Sequence, residues 1–347
     1  MPTRWRIAAI AMDGSWTLRA RKTDGAHPAN AAGETFERAL NEIASHIPDD
    51  AAAVDLRIAF DAADRALAAM DRQRIVFVTT LDPDDPTADR DSVLPAAGRT
   101  IHVDERVLAD GTVRRIPQIE DFAPALERAR AEGFTACAIG FANARTYPIH
   151  EQLVFAHASR MGFAYVSASY EVGGDHWFHE RVCRAITDAG IGAAVRAVSE
   201  AVEAATGTTL PSPTIRFVGG GGVLSDAPDI HPVDLLGSVD ALQRNAQDAD
   251  PLDALLDMPL HASRSYNMTA GTESDERALR IALDGLRDAC FAELTGRGAR
   301  ADTLAWFAQA RTADGRIVDI TGADGLTAYV HVDDPIVALE VEAIGDP

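Results

Sequence analysis

The chain has 347 residues, 47% of them hydrophobic and 24% charged, with 32 basic against 53 acidic residues and a formal charge of −21. This composition describes a globular protein with at least one large core and excludes a nucleic-acid partner, which needs a dense basic face. Cys137, Cys183 and Cys290 are widely spaced and odd in number, so neither a disulfide framework nor a cysteine metal cluster is expected, and a reducing cytoplasm fits best. The apolar run at the N-terminus is too short for a secretory signal and is interrupted by Asp13, and no segment is long enough to span a bilayer.

In chain order, Arg4 to Ala11 and Trp16 to Lys22 flank Asp13-Gly14-Ser15 and predict a β-hairpin. Ala32 to Ile47 is predicted helical, with Phe36, Leu40 and Ile43 at core spacing. A strand over Leu56 to Phe60, a helix over Asp61 to Met70 and a strand over Arg74 to Thr80 follow. Residues 81–98 are rich in Asp and Pro and read as a linker or exposed loop. Thr100 to Ile116 predicts strands turning at Asp110-Gly111.

Asp121 is the expected cap of a helix with Pro124 in its first turn, Phe122, Leu126 and Ala129 on its apolar face and Gly133 as its stop. Thr135 to Phe141 and Phe163 to Ala168 are predicted strands. Between them lies a helix opened by Pro148, with Leu153, Val154, His157 and Met161 on one side. Asp175 is placed as the cap of a long helix, with a break expected at Gly190 and Gly192. Thr214 to Val218 is a strand leading into Gly219-Gly220-Gly221-Gly222, and 226–272 reads as irregular. Ser274 is expected to cap a helix carrying Leu279, Ala282, Leu283, Leu286 and Cys290. The tail, 303–344, alternates like a small antiparallel sheet with a turn at Asp314-Gly315. Strands alternating with helices predict an α/β fold, a mixed or largely parallel sheet flanked by helices, with a smaller C-terminal α+β portion. The expected division is an N-terminal lobe over 1–98, a central βαβα lobe over 99–212 and a C-terminal portion over 213–347.

The densest ionisable group runs from Glu171 to Arg181. His176 and His179 share a helix face with Glu180 one turn beyond His176, which offers a divalent-metal site or an acid/base pair. The alternative is an ordinary helix start, with Asp175 as cap, exposed histidines and Glu180 paired to Arg184. Glu171 and Glu180 could act as a carboxylate pair in amide hydrolysis, or simply hold the 169–181 loop against the following helix. Gly219 to Gly222 follows a strand as anion-binding loops do, yet no Lys-Ser/Thr follows, so a tight turn explains it as well. His150-Glu151 can cap and pack a helix start. Cys137 reads as a core thiol, and no feature activates Cys183.

In order and spacing, RVLADGTVRRIP, Tyr147-Pro148-Ile149-His150-Glu151, Ser169-Tyr170-Glu171-Val172 with Glu180-Arg181, FVGGGGVLS and HPVDLLGS resemble the N-terminal part of hydantoinase A-like proteins, best over 56–240. Glu273 to Ile344 resembles the C-terminal part of that hydantoinase/oxoprolinase family more loosely. The resemblance implies an actin/hexokinase-like (ribonuclease H-like) nucleotide fold and enzymes that use ATP to activate a cyclic amide carbonyl or to carboxylate. It also implies a phosphate and metal site around Asp13, Gly14 and Ser15 and around Gly219, Gly220, Gly221 and Gly222. The departures are specific. Ala11 takes the position of the family's opening Asp, or the chain starts after that motif. The Gly-Thr-Thr motif is replaced by Ala59-Phe60-Asp61, and the later phosphate motifs have no counterpart after Ser238. Two family histidines are Asn143 and Tyr170 here.

Losing the carboxylate and hydroxyls removes the groups that place a divalent cation and its phosphates. The expectation is therefore a family protein that binds or acts on a small cyclic amide or carbonyl compound without ATPase activity. Magnesium ATP is not expected as cofactor, and a divalent metal is left open. Glu171, Asp175 and Glu180 are the candidate catalytic residues. The alternatives are a non-catalytic structural subunit, with a hydantoinase B-like or homo-oligomeric partner, and a metal-dependent hydrolase using His176 and His179.

Overall fold

The computed structural model describes residues 4–23, 29–48, 51–80, 97–108, 111–172, 178–227, 230–267, 287–296, 304–311, 317–319 and 336–343. The chain runs β1 (Arg4–Met12), β2 (Ser15–Lys22), β3 (Ala29–Gly33), α1 (Phe36–Ala44), β4 (Ala53–Phe60), α2 (Ala62–Ala68), β5 (Ile75–Thr79), β6 (Arg99–His102), β7 (Arg106–Val107) and β8 (Val113–Arg115). It continues through α3 (Ile119–Ala131), β9 (Ala136–Gly140), α4 (Ile149–Arg160), β10 (Tyr165–Ala168), the one-turn α5 (Ser169–Val172) and the long α6 (Phe178–Thr209). Then come β11 (Pro213–Val218), β12 (Leu224–Asp226), a 3-10 turn (Pro232–Leu235), α7 (Ser238–Ala246), α8 (Pro251–Asp257) and β13 (His261–Asn267). A helix over 287–296, α9, precedes β14 (Leu304–Arg311), β15 (Ile317–Asp319) and β16 (Ile336–Ala343).

Two sheets carry the architecture. The first has six strands in the order β12-β11-β4-β1-β2-β3, with β1, β4 and β11 parallel. The second has four parallel strands in the order β10-β9-β5-β6. A third, antiparallel sheet, β13-β16-β14-β15, bears out the alternation read in the tail. Residues 81–96 of the linker expected over 81–98, the Asp314-Gly315 turn and most of the helix expected from Ser274 lie outside the described residues; Cys290 is buried on α9.

The period-two pattern explains the first sheet. Ile7, Leu56, Ile58 and Phe217 enter one core with Phe36, Leu40 and Ile43 of α1, while Arg6, Arg57 and Arg216 are also buried. Arg57 donates to the carbonyls of Leu255, Leu256 and Met258 at 3.2, 2.8 and 2.6 Å, closing the C-terminus of α8. Its Nε donates to Asp55, which also pairs with Arg216. The two arginines hold the Asp55 carboxyl below its usual range against the opposing effect of burial. In the second sheet, Val76, Val78, Cys137 and Ile139 pack with Phe122 and Leu126 of α3 and Val154 of α4. Ile75, Phe77, Ala136 and Ala138 pack against Val182, Ile186 and Ala189 of α6. Further along, Ile191, Val195 and Val202 enter the core of the first sheet, so one helix serves both halves.

Several expectations are corrected. α6 is continuous through Gly190 and Gly192. A Cβ at Gly190 would overlap the Met70 sulfur and one at Gly192 the Tyr165 ring, so these glycines allow close approach rather than a break. Ala29–Gly33 is a strand paired with β2, and the first helix starts only at Phe36, capped by the Thr35 side chain at 3.3 Å from the Arg38 N–H. α3 begins behind Gln118, so Asp121 sits in its first turn and Pro124 inside it. The segment read as irregular contains α7 and α8; the polar run from Gln243 is the end of α7 and the turn to α8, which Asp250 caps through the Leu252 N–H at 2.9 Å.

Candidate functional site

Parallel strands direct their C-terminal ends to one edge, where α/β proteins place their ligands. Each sheet has such an edge. On the first, β1, β4 and β11 end together, which brings Asp13-Gly14-Ser15, Asp61 and Gly219-Gly220-Gly221-Gly222 to one side. The structure thus gathers all seven residues expected to bind a cofactor.

Their groups are already engaged. Asp13 and Gly14 have φ of 52° and 82° and form the tight hairpin turn. The Asp13 N–H donates to Asp61 Oδ2 at 2.8 Å, and Arg65 Nε donates to Asp61 Oδ1 at 3.1 Å. The Gly219 N–H goes to the Val223 carbonyl, that of Gly220 to Asp234 and that of Gly222 to Gly219, each at 2.8 Å. A Cβ on Gly220 would overlap the Leu236 carbonyl oxygen. Three glycine N–H groups are therefore spent on the chain itself, whereas a phosphate cradle keeps them for the anion. These residues do not fit a magnesium triphosphate.

The second edge holds a network that sequence reasoning undervalued. Glu151, fully buried near the start of α4, accepts the Phe141 N–H at 2.5 Å and the Ser169 hydroxyl at 2.8 Å on Oε1, and the Tyr170 N–H at 2.9 Å on Oε2. Arg181, from the first turn of α6, donates to Ser169 Oγ at 2.9 Å and to the Phe141 and Ala142 carbonyls at 3.3 and 3.0 Å. Burial pushes the Glu151 carboxyl up to about 7, although the three donors and the Arg181 charge pull it down. Beside it, buried His150 pairs with buried Glu105 at 2.8 Å. Asn143, at one of the departed histidine positions, donates to the Val107 carbonyl at 2.8 Å and so ties the β7–β8 hairpin to this edge. Tyr170, at the other, donates its hydroxyl to Glu171 Oε1 at 2.7 Å.

Of the expected catalytic and metal residues, Glu171 and Glu180 are exposed, on α5 and α6 respectively. His179 is half-buried, with Nδ1 3.6 Å from the Cys183 sulfur. Asp175 and His176 lie outside the described residues. Among the described residues no group of three or more His, Cys, Asp or Glu side chains could hold a metal ion. Burial raises the Cys183 thiol and raises Cys137 strongly, so neither thiol is activated. The ion pair of Arg184 is with Asp234, 50 residues along the chain. The overlooked groups carried a legible signal: Glu151 shares a helical stripe with Val154 and Ala158, and Arg181 and Asp188 share one with Val182, Ala185 and Ala189.

Fold and edges together define an α/β protein with a mixed sheet flanked by helices. Residues 9–162 match the hydantoinase/oxoprolinase N-terminal region. The nucleotide-free structure of acetone carboxylase, from work on the mechanism of ATP-dependent acetone carboxylation, is similar over 98% of this chain and 88% of that one, with a TM-score of 0.65 and 8% identity. The ATP-dependent caprolactamase from Pseudomonas jessenii is similar over 97% and 87%, with a TM-score of 0.62 and 11% identity. At these identities the likeness establishes the fold. No curated protein matches the chain by sequence. Among the described residues no helix is long and apolar enough to cross a membrane.

Proposed function

We propose that this chain binds, or acts on, a small cyclic amide or carbonyl compound at the edge formed by Ser169, Tyr170 and Glu171, without ATPase activity of its own. The observation that carries the reading is the contrast between the two edges. At the glycine-turn edge, three of the four glycine N–H groups are satisfied by the chain itself. The second edge instead presents the Tyr170–Glu171 pair, backed by Glu151 and Arg181. The ring amide and ketone named for the two structural neighbours supply the substrate class.

Chemically, the Tyr170 hydroxyl, by turning away from Glu171, can donate to a carbonyl oxygen, and the exposed Glu171 carboxylate so released can accept an amide N–H or the proton of an attacking water. Glu151 fixes the Tyr170 N–H, and Arg181 fixes the neighbouring Ser169 hydroxyl. Glu180, exposed on α6, is proposed as a second carboxylate beside Glu171.

Calorimetric titration with hydantoin, caprolactam and acetone, each with and without magnesium ATP, tests the reading. Binding of one of them, weakened at least about tenfold in Glu171→Gln and Tyr170→Phe, is the expected result. Micromolar binding of magnesium ATP alone would overturn the ATP-independent part. Binding unchanged in both variants would overturn the site.

A further inference from the structure

We infer that Arg184 is a positioning residue that couples the two strand edges, so that whatever engages the glycine turn is felt at Tyr170 and Glu171. The inference rests on hydrogen bonds and stands whichever small molecule the second edge takes. Arg184 Nε donates to the carbonyl of Val172, the last residue of α5, at 2.7 Å. Its Nη2 pairs with Asp234 in the 3-10 turn that follows β12. Asp234 in turn holds the glycine edge. Its backbone carbonyl accepts the Gly220 N–H at 2.8 Å, and its Oδ2 accepts the His231 N–H at 3.2 Å.

A second side chain fixes the same turn one helical turn along α6: buried Asp188 accepts the Val233 N–H at 2.9 Å. The 3-10 turn is therefore clamped to α6 at two points, Arg184 and Asp188. At the other end, α5 is held between Arg184 at Val172 and Glu151 at Tyr170. Displacing the Asp234 carbonyl from Gly220 moves the Asp234 carboxylate, and with it the guanidinium that holds the Val172 carbonyl. A guanidinium suits the place because its planar fork presents Nε and Nη2 to two acceptors at once, which the single ammonium of lysine does not. The pair is about one-third exposed on both sides, so solvent screens part of its attraction, and the link depends on its geometry more than on its charge.

Hydrogen-exchange mass spectrometry on the full chain tests the coupling, with peptides of β5 and β9 as internal reference. Asp234→Asn should raise exchange of the 169–172 amides at least about fivefold, although residue 234 belongs to the other edge. Arg184→Ala should raise exchange in both 169–172 and 219–222, and adding Asp234→Asn to it should change 169–172 no further. Arg184→Lys should reproduce most of the effect while leaving β5 and β9 unchanged, so the test survives if the alanine variant unfolds. An Asp234→Asn effect confined to 219–236, additive effects in the double variant, or Arg184→Lys behaving as wild type would each overturn the inference.

Discussion

The Glu151 carboxylate accepts the Ser169 hydroxyl at 2.8 Å, and this bond joins the start of α4 to the end of β10. The same carboxylate takes the N–H groups that follow β9 and β10, so one buried side chain fixes the ends of two neighbouring strands. Strand ends carry donors without ladder partners, and a carboxylate with its several lone pairs can satisfy them together.

That arrangement gives a pH dependence whose sign can be worked out. Glu151 rises to about 7 from an ordinary 4.5, so the folded chain holds this proton more tightly than the unfolded chain. Stability therefore falls as pH rises from 4.5 through about 7, then levels off, by at most about 3 kcal/mol. Glu151→Gln removes this slope and places an amide nitrogen against an N–H donor, costing roughly 1–3 kcal/mol. Urea unfolding of both proteins at about pH 5 and about pH 8 checks this: the advantage of the wild type over the variant should shrink toward the higher pH. A constant difference would show that Glu151 stays ionised throughout.

The long helix offers a test in which local propensity and packing predict opposite signs. On propensity alone, Gly192→Ala in the middle of α6 should stabilise by up to about 1 kcal/mol. In the fold, the new methyl group would enter the Tyr165 ring, which Arg196 covers at 4.4 Å from its centroid. The expected outcome is a loss of about 1–3 kcal/mol. At Gly190 the obstacle is mainly the flexible end of Met70, so Gly190→Ala should cost less. Thermal unfolding of the two variants ranks them, and a gain from Gly192→Ala would contradict the close packing.

The same helix shows what could be read in advance and what could not. Periodicity placed Phe36, Leu40 and Ile43, the hairpin at Asp13-Gly14 and the strands around β9 and β10, because burial repeats every 2 or 3.6 residues. The continuity of α6 was not legible, since the ring and sulfur that make Gly190 and Gly192 useful come from Tyr165 and Met70. The order of parallel strands gathers the glycine turn and Asp13 at one edge. The local bonds of Gly219 and Gly222 fit the tight turn that the run suggested, but the Gly220 N–H goes to Asp234, which no local pattern connects to it. His150-Glu151 read as capping and packing a helix start and Arg181 as the end of an ionisable group; only the apolar stripes they share mark Glu151 and Arg181 as interior.

The thiols give a prediction independent of any ligand. Cys137 and Cys290 are buried and Cys183 is half-buried, so iodoacetamide should modify Cys183 first and the others only on unfolding. Burial raises the Cys183 thiol, so its rate should be below that of a free cysteine at neutral pH and keep rising beyond about pH 9. His179, with Nδ1 3.6 Å from the sulfur, is the group that could reverse this. Peptide mass spectrometry against pH decides: a fast reaction at neutrality, abolished by His179→Ala, would mean that the imidazole holds the thiolate.

The glycine turn separates a packed corner from a phosphate cradle. Gly220→Ala drives a methyl group into the Leu236 carbonyl, a backbone atom that cannot step aside, and should cost at least about 2 kcal/mol. Gly221 has nothing within 4 Å of its would-be Cβ, so Gly221→Ala should stay within about 0.5 kcal/mol of wild type. A cradle that holds phosphate in the native protein would behave differently: both substitutions would weaken nucleotide binding. Thermal unfolding with and without magnesium ATP distinguishes the two. If neither variant responds to the nucleotide and only Gly220→Ala melts early, the four glycines serve the corner between β11 and β12 and the Asp234 carbonyl that closes it.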